Sequence, residues 1–173
     1  MLLSAAIKGH PVHPMLVTLP IGCWMFSLVS DLVSLMRPGE LIWRDIAFYA
    51  IVAGLVGAVP AAIAGFIDFL AIRSEKVKRI ATIHLGLMVG VVLLYVVGLV
   101  VRSTWPDGSI VPVVLSLVTI LALIWAAWLG GEMVFRHGAA VHPQASDSKK
   151  VASASHDSHI EANQETTVPD LRL

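Results

Sequence analysis

The sequence predicts an all-α membrane protein with four transmembrane helices in an antiparallel up-down bundle. Three observations predict it. Hydrophobic residues make up 57% of the chain and charged residues only 14%, against about 25% charged in an ordinary soluble domain. Four apolar stretches, residues 15–36, 46–72, 80–101 and 110–135, each reach the roughly 20 residues that cross a hydrocarbon core. The connections between them are short, which makes successive helices antiparallel neighbours.

The first element is a lead-in segment, residues 1–14, ending in His10-Pro11-Val12-His13-Pro14. Proline disfavours helix at the residue before it, so His13 is expected in extended backbone and the first helix from Met15 onward. No cleavable signal peptide is expected, because Lys8 ends rather than starts the first nine residues. Helix one contains Cys23, the sole cysteine. A single cysteine excludes an intrachain disulfide, a thiolate zinc knuckle and the Cys-x-x-Cys-His attachment of c-type haem. Asp31, towards the far end of this helix, reads as an outward-facing charge near Arg37.

A Pro-Gly turn leads into helix two, where Ala53, Gly57, Ala61 and Gly65 recur every four residues and Pro60 is expected to kink the helix. Helix three carries Gly86, Gly90 and Gly98 on one stripe. Small faces of this kind let backbones approach where lipid removes the hydrophobic drive for association. Helix four follows a Pro-Asp-Gly turn and ends near Arg136. The bundle is thus expected over residues 15–136. Beyond it, residues 137–173 are polar and serine-rich, and are expected to form a disordered cytoplasmic tail.

Lysine and arginine orient the bundle. The end holding both termini and the second loop has Lys8, Arg73, Lys76, Lys78, Arg79, Arg136, Lys149, Lys150 and Arg172; the other end has Arg37, Arg44 and Arg102. Nine against three places both termini in the cytoplasm under the positive-inside rule. Formal net charge is zero, which offers no field for nucleic acid.

Ionisable side chains inside the helices are few, and each costs about 2.5–3.5 kcal/mol at a helix centre on insertion scales. His13, Asp68, His84 and Glu132 each lie four or five residues inside a cationic boundary residue. At about 1.5 Å per residue that is one layer, roughly 6–8 Å deep, with one member from each helix. His10 and His137 sit at its rim. Two chemistries suit this set. Paired imidazoles, His13 and His84 with His137 as substitute, are the axial ligands of a b-type haem, with Gly65, Gly86 and Gly90 making room for the macrocycle. Alternatively, His13, Asp68, His84 and Glu132 form a mixed nitrogen and oxygen set for zinc, iron or manganese. A third reading takes the layer as a hydrogen-bonded polar knot in an accessory subunit without cofactor. No Gly-x-Ser-x-Gly elbow or phosphate loop supports nucleophilic catalysis, so no catalytic residue is assigned and enzymatic activity stays open.

His10-Pro-x-His-Pro followed by Leu19-Pro20-Ile21-Gly22, then Gly65-Phe-Ile-Asp68, His84, Gly130-Gly131-Glu132 and Arg136-His137-Gly138 resemble the bacterial membrane domain known as domain of unknown function 2231, over roughly residues 8–142. The resemblance implies a bacterial inner-membrane location. Related domains occur joined to Rieske iron–sulfur or cytochrome c modules, which implies respiratory-chain redox proteins as partners. No such fused module is expected in this chain. The lipid bilayer is the other expected partner, and a homo-oligomer is left open.

Overall fold

The computed structural model describes residues 6–7, 10–104 and 109–138. Apart from two-residue strands β1 (Ala6–Ile7) and β2 (His10–Pro11), paired antiparallel, the described chain is helical. The helices are α1 (Val12–Leu16), α2 (Thr18–Met36), α3 (Ile42–Ala71), α4 (Glu75–Thr104) and α5 (Val111–His137). Four are long and apolar enough to span a membrane, with α1 and α2 together forming the span Val12–Met36. Of the expected tail, His137 closes α5 and Gly138 is its C-cap, while residues 139–173 lie outside the described residues, as does Lys8.

The lead-in differs from its expectation. Pro11 is extended at φ −70° and ψ 120°, but helix begins at Val12, so His13 and Pro14 are helical. Pro14 is tolerated there because the first-turn N–H it lacks has no partner within a helix anyway. Val17 joins α1 to α2 with helical dihedrals, φ −65° and ψ −20°, its N–H bonding His13 O at 3.1 Å and its carbonyl accepting from Ile21 N–H at 3.2 Å.

Gly39, at φ +103°, makes the turn into α3 in a conformation that side chains resist. Glu40 steadies this turn by accepting from Arg37 at 3.3 Å and from Trp43 Nε1 at 3.1 Å. α3 runs unbroken through Pro60, whose ring lies on the exposed face. At the α3–α4 connection Lys78 caps α3, donating from Nζ to Phe69 O at 2.5 Å and lying 3.6 Å above the Phe69 ring.

α2 packs most extensively on α3, and α4 on α5; α2 with α5 and α3 with α4 join the two pairs. The centre is a stack of Trp24 on Tyr95, ring centroids 4.5 Å apart, surrounded by Ile51, Val91, Ile120 and Leu123. Gly54 makes this possible: a Cβ there would fall inside the indole, 2.5 Å from Cδ1. The close-packed stripe on α3 is therefore Gly54, Gly57, Ala61 and Ala64, while Ala53 is exposed. On α4 only Gly98 of the expected stripe is buried; a Cβ on Gly86 or Gly90 would meet nothing within 4 Å. Large apolar side chains such as Leu93, Leu121, Trp125 and Trp128 face outward, as lipid solvation requires.

Candidate functional site

His13 and His84 occupy matching settings on different helix pairs. The His13 ring lies against Gly65, its Nδ1 2.8 Å from Ala61 O on α3. The His84 ring lies against Gly130, its Nδ1 2.9 Å from Ala126 O on α5. A carbonyl oxygen only accepts, so each Nδ1 must carry the proton and each Nε2 keeps its lone pair. Both rings are half-buried. This is the arrangement seen around metal-ligating imidazoles, where a backbone carbonyl fixes tautomer and ring orientation.

Glu132 and His137 make their contacts within their own helix. Glu132 pairs with Arg136 on its own helix at 3.2 Å. His137 is half-buried with Nδ1 3.3 Å from Glu132 O, again on its own helix. Asp68 is half-buried on α3. Among the described residues no group of three or more His, Cys, Asp or Glu side chains comes together to hold a metal ion. His13, Asp68, His84 and Glu132 therefore do not form such a group. Gly65 is also reassigned: its missing side chain seats the His13 ring rather than opening space for a macrocycle.

Asp31 is the main correction. It is 3% exposed and pairs with Arg102, 71 residues away, rather than facing outward near Arg37. Arg102 also donates to Ser116 Oγ at 2.8 Å and towards Gly98 O at 3.4 Å. The physical reason is that α4 continues to Thr104, which brings Arg102 out of the expected loop and into the bundle. A carboxylate in a membrane helix then has an interior cation to face. The other buried serine and threonine hydroxyls are satisfied locally: Ser27 bonds Trp24 O at 2.8 Å, Ser30 bonds Phe26 O at 2.9 Å and Thr119 bonds Leu115 O at 2.7 Å. Trp24 Nε1 and Tyr95 OH are buried without a hydrogen-bond partner among the described residues.

The polar interior therefore has two levels, the histidine pair at one end and the Asp31–Arg102 pair at the other, with the aromatic stack between them. The chain belongs to the family described as predicted membrane protein (DUF2231), whose family model matches residues 9–143. No curated protein and no solved structure matches it.

Proposed function

We propose that this family member is a redox subunit of a bacterial inner membrane that holds a b-type haem between His13 and His84. The observation that carries the reading is the pair of Nδ1–carbonyl bonds, which leaves two oriented Nε2 lone pairs, one from each helix pair. Two neutral imidazoles are the donor set that bis-histidine haem needs. Bound haem would supply one-electron oxidation and reduction. The chain's own contribution is to hold both rings in one tautomer, through Ala61 O and Ala126 O, and to surround the site with apolar helix faces. A redox protein of the respiratory chain is the proposed partner. The bare-metal alternative loses its support, since its ligand set does not converge among the described residues.

The bundle is read as up-down. Contacts along α1 and α2 run His13 to Gly65, Leu19 to Gly57, Trp24 to Gly54, descending on α3 as they ascend on the first span. Arg102 pairs inside the bundle, so without it the charge count becomes nine against two, which supports our reading of cytoplasmic termini.

A second reading is favoured by the glycine seats. His13 over Gly65 and His84 over Gly130 are also complete interhelical clasps that need no ligand, as in a structural subunit. One measurement separates the two. Protein purified from haem-supplied cells is expected to show a Soret band and a low-spin spectrum that changes on reduction. A colourless protein that is folded and monodisperse overturns the haem reading in favour of the clasp.

A further inference from the structure

The two levels of the interior are related by a rule of spacing. Eleven residues after His13 is Trp24 and eighteen after it is Asp31; eleven after His84 is Tyr95 and eighteen after it is Arg102. Trp24 stacks on Tyr95, and Asp31 pairs with Arg102, so each position meets its own counterpart. The partner helices obey a second constant spacing. Ala61-Ala62-x-x-Gly65 on α3 and Ala126-Ala127-x-x-Gly130 on α5 each offer the first alanine's carbonyl to the histidine and the glycine as its seat. Further up, Gly54 and Ile51 correspond to Thr119 and Ser116, and all four are buried.

Side chains that meet their own counterparts lie on a two-fold axis. We infer that the chain is a tandem pair of one helical-hairpin unit closed about an axis along the membrane normal, and that His13 and His84 are equivalent ligands of one site on that axis, suited to a ligand with two like coordination faces. Parallel repeats of this kind are a recurrent membrane architecture. The ligand part rests on the proposed haem function; the duplication does not. Haem fits such an axis, because its two faces take like imidazoles. The axis also explains why Asp31 and Arg102 differ where the histidines match. Two like charges facing each other in the interior would repel, so a charge at one of these positions is matched by the opposite charge at its counterpart, and Ser116, which accepts from Arg102, stands where the other half has Ile51.

The test uses the full-length chain in detergent. D31R and R102D singly are expected to lower the unfolding temperature by about 10 °C or more, or to leave no monodisperse protein. The reciprocal exchange D31R/R102D is expected to recover only part of the loss. Adding I51S and S116I, which moves the hydroxyl with the guanidinium, should recover most of the rest. A fourfold variant no more stable or better recovered than the single variants overturns the duplication. For the ligand, H13M and H84M loaded with haem are expected to shift the reduced spectrum and midpoint potential by the same amount. A shift confined to one variant overturns the equivalence. A wild type that binds no haem, with the fourfold exchange recovered, overturns the haem assignment alone and leaves the two-fold unit standing.

Discussion

Gly65→Ala and Gly130→Ala should change stability in opposite directions, although the two glycines play the same role. A Cβ at Gly65 would lie 2.8 Å from both Cε1 and Nδ1 of His13, whereas a Cβ at Gly130 would lie 3.4 Å from Cε1 of His84. Carbon contacts are comfortable from about 3.5 Å. The His13 ring must therefore retreat by about 0.7 Å, and that retreat stretches its 2.8 Å bond to Ala61 O to the edge of hydrogen bonding. Leaving a half-buried donor unpaired costs about 1–3 kcal/mol, while alanine for glycine in a helix returns about 0.5–1 kcal/mol. The net for Gly65→Ala is a loss centred on about 1 kcal/mol, within bounds of about 0 and 2.5 kcal/mol, or a few degrees in a chain of this size. At Gly130 the His84 ring barely moves, so only the gain of about 0.5–1 kcal/mol remains. Thermal unfolding followed by circular dichroism in one detergent measures both. Shifts of the same sign refute the seating argument, because they would mean that the His13 clasp gives way without cost.

Removing Arg102 with leucine leaves the Asp31 carboxylate buried and unpaired, and should cost about 3–5 kcal/mol, whereas Asp31→Leu with Arg102→Met should be nearly neutral; a double variant as unstable as the single one would show that the pair is not the source of the loss. Tyr95→Phe should stabilise by about 1 kcal/mol, since it deletes a buried hydroxyl with no partner among the described residues, and a destabilised variant in chemical denaturation would reveal a partner for that oxygen. Gly54→Ala should be the most damaging glycine substitution, costing about 3 kcal/mol or more, because the fully buried Trp24 indole cannot withdraw from its stack on Tyr95; loss of near-ultraviolet circular dichroism with retained helix content is the expected sign. Arg136→Ala should change stability by less than about 0.5 kcal/mol, as its pair with Glu132 is largely exposed, and a larger loss would mean that Glu132 serves the interior.

The spans were legible because a bilayer imposes length and composition, and the structure extends each expected stretch by only a few residues at its polar ends. His13 and His84 stand out in the sequence because ionisable groups in such helices are scarce. Their partners do not, since a backbone carbonyl carries no side-chain signal: Ala61 and Ala126 look like any small residue in a stripe. Asp31 and Arg102 were misread for a different reason. Positive-inside counting treats every arginine near a helix end as a loop charge, and only the extra turn of α4 shows that this one points inward. The signal that would have joined them, eighteen residues from a histidine in each case, lies in a comparison between helices, and hydropathy along one helix does not contain it.

What selects this arrangement must come from those few polar and size-matched contacts. In lipid, an apolar helix face is as content against acyl chains as against another helix, so burial of leucine and valine does not choose between bundles. The choosing contacts divide into two sets. Within each helix pair, a histidine binds a carbonyl of the neighbouring helix across a glycine. Between the pairs, the Trp24–Tyr95 stack and the Asp31–Arg102 ion pair tie α2 to α4. The first set therefore specifies the hairpins and the second their association. The site we propose for a ligand shared by His13 and His84 would lie where the two helix pairs meet, its geometry held by contacts 11 and 18 residues away along the same two helices. Loosening Asp31–Arg102 should for that reason disturb haem retention at the histidines, about 27 Å distant along a helix axis, before it disturbs helix content. Retention unchanged in Arg102→Leu while the protein stays folded would mean that the histidine end is held by its clasps alone.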